Sequence, residues 1–314
     1  MTVATTVELA WWALCWATGA APLPYLFTSV AFAFVALAVA MALRLALRRP
    51  FGQCPLPTLV LGAVLVGIAA SVFLPLKVAI PHQVPFWLDR PLATAERTLF
   101  SADPWLLLDR LFGWAAVPID RAYSLWLPLQ SVILFTVMLE APSPAKSRAL
   151  IAYSLAWLVL GVAAAVIFSS AGPLFYDRLL GGSDFAGLHA TLVERGAWAA
   201  LSASDAMWAS RASNHPGLVA GISAAPSMHV AISFWIYLTA RTMAPRAAPF
   251  ALAYVAFIWS ASVQLGWHYT ADGLVGILGM LALWAVAIPL DRALADPGRR
   301  RRSVDLHQPE PSEI

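Results

Sequence analysis

The chain has 314 residues, of which 60% are hydrophobic and only 12% are charged, and its formal net charge is +3. The charged fraction is about half that of a typical soluble domain, which excludes an ordinary soluble globular protein. The small positive charge is spread over loops and gives no support to a nucleic-acid partner. Several apolar runs reach the roughly 20 residues needed to cross a bilayer, so the sequence predicts an all-α, polytopic membrane helical bundle.

The apolar runs predict about seven spans, six of which would form a catalytic bundle. The predicted spans are residues 25–47, 56–76, 122–139, 149–168, 227–241, 250–265 and 270–291. The Trp-rich segment 7–20 falls short of a full crossing, so we expect an interfacial helix there, with an extra crossing as the alternative. The predicted organisation is an N-terminal interfacial segment with an accessory span (1–55), a membrane-embedded catalytic bundle (56–291) and a disordered cytoplasmic tail (292–314).

Two long segments separate some of these spans. Residues 85–114 mix Asp, Glu and Arg with Trp, Leu and Phe, which is typical of amphipathic helices that lie on a membrane surface. The second segment, 169–226, contains a stretch at 188–211 that is compatible with a helix.

Basic residues in the short loops predict the orientation. When the spans alternate, these residues all fall on one side, and that side should be cytoplasmic. They are Arg44, Arg48, Arg49, Lys146, Arg148, Arg241, Arg246 and the arginines at 299–302. The two long segments then face outward. We expect an integral protein of a bacterial inner membrane with its active site facing the periplasm.

A polar island at residues 224–230 lies at the mouth of a long apolar run. Pro226 and Ser227 indicate a helix start, because Ser is a favoured N-cap and Pro is tolerated in this position. His229 would then lie in the first turn of the helix. The free N–H groups and the positive end of the helix dipole make such a turn a ready anion site.

A second island, residues 266–273, follows two predicted spans later and should return to the same membrane surface. Thr270 is its predicted helix cap. His268 and Asp272 are one helical turn apart, so the carboxylate can reach the imidazole. A carboxylate on Nδ1–H would fix the tautomer and free Nε2 as a nucleophile or base. The two islands together predict covalent chemistry on a membrane-borne group.

The islands resemble two motifs of the type 2 phosphatidate phosphatase superfamily of membrane lipid phosphatases and phosphotransferases. The family's Pro-Ser-Gly-His motif corresponds to Pro226-Ser227-Met228-His229, and the His-x-x-x-Asp end of its third motif corresponds to His268 and Asp272. The resemblance covers roughly residues 149–290, and two motifs in membrane context are more specific than one.

The resemblance implies a role for each matched residue. His268 would be the nucleophile that forms a phosphohistidine, and Asp272 would orient it. His229 would protonate the departing oxygen and then activate the acceptor. Ser227 and the nearby N–H groups would hold phosphate oxygens. Such chemistry depends mainly on positioning and charge stabilisation.

The chain also departs from the family. The first motif is Lys, six residues, then Arg-Pro, and neither Arg49-Pro50 nor Arg90-Pro91 has the required Lys. The Ser-Arg that opens the third motif is replaced by Ala261-Ser262. The usual phosphate-binding cations are therefore missing from their usual places.

A branch resembling the inositolphosphorylceramide synthases also has two His and an Asp without that Ser-Arg. Residues 171–176 and Lys77 look like that branch, so we place the chain there. The substitute phosphate-binding cations would be Arg178, Lys77 and Arg211.

Alternatives remain for the chemistry and for the class of protein. Two His and one Asp can also bind zinc, but the usual second carboxylate or Cys set is absent, so we expect no resident metal and no cofactor. Water as the acceptor would make a phosphatase, and a lipid or inositol hydroxyl would make a phosphotransferase. A non-catalytic lipid-binding or transport protein on the same scaffold is the alternative outside enzymes. The expected partners are a lipid phosphate and the bilayer.

Overall fold

The computed structural model describes residues 23–48, 55–213 and 221–295. Within these ranges the chain folds into helices joined by short turns and contains no strand, which confirms the predicted all-α class. The predicted interfacial segment 7–20 lies outside the described residues. The predicted tail does so from residue 296 onward.

The helices are numbered in chain order. They are α1 (Leu23–Ala46), α2 (Leu56–Gln83), α3 (Asp89–Phe100), α4 (Pro104–Phe112), α5 (Ala116–Ser124), α6 (Trp126–Met138), α7 (Pro144–Ile167), α8 (Pro173–Leu180), α9 (Ala186–Arg195), α10 (Trp198–Ser213), α11 (Met228–Met243), α12 (Ala248–Gln264) and α13 (Thr270–Ala295). The middle of α7, Ala156–Ala164, is π-helical.

Within the described ranges, five helical segments are long and apolar enough to cross a membrane, which makes the chain an integral membrane protein. They are Tyr25–Ala46, Leu56–Gln83, Pro144–Ile167, Pro245–Gln264 and Thr270–Leu294. The predicted spans 122–139 and 227–241 correspond instead to shorter helices: α6 has 13 residues and α11 has 16. Helix α5 precedes α6 with only Leu125 between them, so the two helices together cover a longer path.

Helix α2 extends beyond its predicted end. The sequence predicted an end at Leu76 because Lys77 interrupts the apolar run, but the helix continues to Gln83. Lysine is a good helix former, so a charge can end an apolar run without ending the helix. A long lysine side chain can also follow the helix surface toward a polar region.

The two long segments are mostly helical. Residues 85–114 contain α3 and α4, and exposed Leu99, Leu111 and Trp114 give this region apolar surface. Residues 188–211 form parts of two helices rather than one. Helix α9 ends at Arg195, and Gly196 has a left-handed φ of 74° that separates it from α10.

Helix α11 lies at the centre of the bundle, in contact with α6, α7, α12 and α13. Its side chains are largely buried, and the Trp235 indole N–H donates to the Ala149 carbonyl of α7 at 2.8 Å. A short helix can occupy this place because its neighbours, rather than lipid, surround it.

The two ends of the bundle differ. At one end, Arg44 pairs with Glu140 at 2.8 Å, and the Lys146 ammonium donates to the Glu140 carbonyl at 2.7 Å. At the opposite end of α6, the Trp126 indole donates to the His229 carbonyl at 3.1 Å. The first island therefore lies at the other end of the bundle from these basic loops, as the orientation argument requires.

Candidate active site

The first island begins α11 as the sequence predicts. Ser227 is the N-cap, and its hydroxyl oxygen accepts the Val230 N–H at 3.4 Å. This places His229 in the first helical turn. The Ser227 N–H donates to the Asp272 carbonyl at 3.0 Å, so a backbone bond joins this island to the second.

The two histidines meet where the islands join. The ring centroids of His229 and His268 are 5.7 Å apart, and the ring planes are inclined by 59°. Both side chains are at the end of the bundle away from the Arg44–Glu140 pair. A centroid distance of 5.7 Å is short enough for both imidazoles to act on the same bound group.

His268 has a carboxylate as its neighbour. Its Nδ1 lies 3.6 Å from Asp272 Oδ2, which is close for an ion pair but too long for a hydrogen bond. Within the described ranges, Nδ1 has no hydrogen-bond partner. Catalytic contacts are often long before substrate binds, so tautomer control by Asp272 stays a prediction.

Asp272 also shapes the start of α13. Thr270 is the first residue of this helix, and the Asp272 carboxylate reaches back to accept the Tyr269 N–H at 3.0 Å. This bond resembles the reciprocal half of a capping box, in which the third helical residue binds the N-cap amide. The predicted cap is wrong by one residue: Tyr269 holds the N-cap position, and Asp272 supplies the side-chain acceptor for its N–H.

Aromatic rings flank His229. Tyr123 is nearly parallel to it, with centroids 4.8 Å apart and planes inclined by 19°, and the Trp126 centroid is 4.2 Å away. The two rings restrict the rotation of the imidazole. Lys77 and His268 are both near enough to act on His229 electrostatically.

Two buried acids from α3 support the site, and the sequence analysis missed their role. Asp89 accepts hydrogen bonds from the Ser170 hydroxyl at 3.1 Å and from the Ala171 and Gly172 N–H groups at 2.9 Å each. Glu96 accepts the N–H groups of Thr270 and Ala271 at the start of α13. The sequence feature that could have identified them is their seven-residue spacing, which puts both acids on one helix face.

Burial governs the protonation of these acids. It raises the pKa of Glu96 to about 7, although the bonds from Thr270 and Ala271 lower it. Burial likewise raises the pKa of Asp89 against its own N–H donors. The negative charge of Asp272 raises both pKa values further. The second island, which contains Asp272, thus lies near two further acids, Asp89 and Glu96.

Two of the three predicted cations lie beside the segment that leads into the first island. The side-chain stem of Lys77 packs against Gly221, where a Cβ would overlap it and φ is 91°. Arg211 lines a small cavity together with Gly221 and Ile222. Among the described residues, no hydrogen-bond partner meets Arg211 Nη1, although this atom is buried.

The third predicted cation is already paired. Arg178 contacts Asp205 at 2.6 Å and lies over the Trp208 ring. The ion pair does not show whether Arg178 binds phosphate, so this role stays a prediction. Across the described residues, no three His, Cys, Asp or Glu side chains are grouped so that they could hold a metal ion.

The comparison with known families then decides the relationship. A family model described as the PAP2 superfamily matches residues 90–286, which is more than half of the chain and includes both islands. The chain belongs to the PAP2 superfamily. No curated protein and no solved structure matches it. Membership in the PAP2 superfamily indicates a phosphatase-type enzyme that acts on lipid phosphates. Helices α1 and α2, with Lys77, lie outside the matched residues.

Proposed function

We propose that this PAP2 protein transfers a phosphoryl group from a lipid phosphate through a phosphohistidine on His268. The main support is the convergence of two imidazoles at 5.7 Å, with the Asp272 carboxylate beside His268 and, in the part of the chain that the structure describes, no acid paired with His229. His268 has the carboxylate neighbour that a nucleophile needs, and His229 is left for proton transfer.

The reaction has two steps. In the first, His268 Nε2 attacks phosphorus, the bond from phosphorus to the leaving oxygen breaks, and His229 gives that oxygen its proton. In the second, His229 takes a proton from the acceptor hydroxyl, whose oxygen attacks phosphorus and breaks the P–N bond. Asp272 stabilises the imidazolium form of His268 in both steps.

Phosphate oxygens would be held at the start of α11 and by Lys77 and Arg211. The first N–H groups of α11 and the Ser227 hydroxyl supply neutral donors at the positive end of the helix dipole. Lys77 and Arg211 border the same glycine upstream of Ser227. Arg178 is left out of this set because its guanidinium already pairs with Asp205.

The acceptor and the branch belong to the same proposal. The missing Ser-Arg at positions 261 and 262 favours the branch resembling the inositolphosphorylceramide synthases, in which a hydroxyl takes the phosphoryl group. The separation of the first island from the basic loops supports an outward-facing site, on the periplasmic side of a bacterial inner membrane.

The test offers purified protein three substrates, with and without a chelator: phosphatidate, an isoprenyl pyrophosphate, and phosphatidylinositol plus ceramide. Release of free phosphate identifies a phosphatase, and a new phospholipid identifies a transferase. No reaction with any lipid would favour the transport alternative. Loss of activity with the chelator would favour zinc chemistry over a metal-free phosphohistidine.

The cation assignment is tested by three matched variants. Lys77→Met and Arg211→Met should each raise KM about 10-fold, because a charged hydrogen bond to phosphate is worth about 1.5–3 kcal/mol. Arg178→Met, which breaks a pair outside the proposed set, should leave KM near that of the parent enzyme. Equal effects of all three would contradict the assignment.

A further inference from the structure

Helix α3 directs two buried carboxylates at backbone N–H groups, one at the loop before α8 and the other at the first turn of α13. Asp89 and Glu96 are seven residues apart, or about two helical turns. They are 1% and 7% exposed. Acids are seldom buried so fully unless they satisfy specific donors. The donors here are backbone N–H groups of segments that carry or contact the histidine islands.

Glu96 binds the end of the helix that carries Asp272. The first N–H groups of any helix lack partners within the helix and need an acceptor from elsewhere. In α13 the amides of Thr270 and Ala271 receive one from Glu96, while Asp272 serves the Tyr269 amide. The position of the first turn of α13 therefore depends on an acid 174 residues earlier in the chain.

The atoms fixed by Glu96 are close to the reacting group. In sequence, Thr270 and Ala271 lie in the short segment that joins His268 to Asp272. The His268 and Asp272 side chains approach to 3.6 Å. A shift of this turn would change that distance and the direction of the imidazole. Misplacement of reacting groups by about 1 Å can cost about 100-fold in rate.

We infer that Glu96 is a positioning residue that holds the His268–Asp272 pair in its reactive arrangement. It acts as a hydrogen-bond acceptor for the first turn of α13, without touching the lipid phosphate itself. This inference rests on the proposed function of His268. Catalysis would then depend on α3, a helix that carries neither His229 nor His268.

Steady-state kinetics of Glu96→Ala, Glu96→Gln and Thr98→Ala test the inference. Glu96→Ala removes the acceptor and should lower kcat about 10- to 100-fold with KM within about twofold of the parent. Glu96→Gln keeps an oxygen acceptor, so its kcat should stay within about threefold of the parent. Thr98→Ala is the matched control, because this exposed hydroxyl donates to the Thr94 carbonyl of its own helix.

A second measurement keeps the inference separate from the proposed function. Hydrogen–deuterium exchange of residues 268–273 should speed up in Glu96→Ala and stay slow in Glu96→Gln, whether or not any lipid is turned over. An inactive parent enzyme would overturn the proposed function alone. Parent-like turnover or exchange in Glu96→Ala would overturn the inference, and so would equal loss of turnover in a folded Glu96→Gln. If Glu96→Ala does not fold, Glu96→Asp takes its place with the same expectations, because its shorter side chain withdraws the acceptor.

Discussion

The two histidines have very different surroundings, although their rings are 5.7 Å apart. His229 lies in the first turn of a central helix between Tyr123 and Trp126. His268 lies in a loop beside Asp272, and α3 supports the helix that follows. The same side chain is thus suited to two tasks. A nearby carboxylate favours a positively charged intermediate on His268, whereas rings that restrict His229 favour a proton carrier with a fixed direction.

The strongest way to break this comparison is to remove the proposed nucleophile. His268→Ala should lower kcat at least about 10³-fold, because no covalent intermediate can then form. Phosphate release from lipid substrate measures the loss. His189→Ala, which changes an exposed histidine in α9, is the control and should keep parent activity. Substantial turnover by His268→Ala would end the distinction between the two rings.

Replacing the other histidine should sharpen the comparison. His229→Ala should lower kcat with a lipid phosphate about 10²- to 10⁴-fold, the usual range for loss of a general acid. With p-nitrophenyl phosphate the leaving group needs no proton, so the first step should persist. The expected result is a burst of nitrophenolate followed by slow turnover. The same burst from His268→Ala would show that the roles are reversed.

Much of this site could be predicted from the sequence, because the residues that interact are close to one another along the chain. Ser227 and His229 follow from cap and turn chemistry, and His268 with Asp272 follows from the helical period. The contribution of α3 could not be predicted in the same way. Asp89 and Glu96 have the spacing of a shared helix face, but charges on an amphipathic helix usually indicate a solvated face.

The span pattern shows a similar limit. Apolar runs of sufficient length predicted the five long helical segments that the described ranges contain. The end of α2 was placed too early because Lys77 ends the apolar run without ending the helix. The predicted span 122–139 is divided at Leu125, a break that the apolar run does not show. The ion pair of Arg178 could not be predicted from the sequence either. Asp205, which pairs with Arg178, is 27 residues away in sequence.

Loss of Asp89 should affect the supports of both islands. Its carboxylate accepts the Ala171 and Gly172 amides. The Ser170 carbonyl beside them accepts the Ala224 N–H of the first island, and the Leu174 N–H in the first turn of α8 donates to the Gly266 carbonyl of the second. Asp89→Ala leaves buried donors unpaired, which should cost about 1–3 kcal/mol.

Thermal unfolding in detergent measures this cost. The matched control is Asp205→Ala, which removes an exposed ion pair and should change stability by only about 0–1 kcal/mol. Equal destabilisation by the two variants would contradict the expectation that the hydrogen bonds of Asp89 stabilise the fold more than an exposed ion pair does.

The smallest expected effect concerns pH and the support of His268 alone. Burial raises the pKa of Glu96 from its ordinary 4.5 to about 7. Between these values the folded protein binds more protons than the unfolded chain, so this group's contribution to stability should fall as pH rises from about 4.5 to 7.

Unfolding midpoints at pH 5 and pH 8 test this expectation. Glu96→Gln cannot titrate, and the difference between its two midpoints should be smaller than in the parent protein. Asp89 titrates with the same sign and remains in both proteins, so only the change between them reports Glu96. Identical pH dependence in the two proteins would contradict the raised pKa.

Trapping the covalent intermediate tests the central claim most directly. Protein mixed with a lipid labelled in its phosphate group, quenched in base and digested, should carry the label on His268 as a base-stable, acid-labile phosphohistidine. The label should persist longer in His229→Ala and be absent from His268→Ala. Turnover of the lipid phosphate with no labelled histidine, or with the label on His229, would contradict the account.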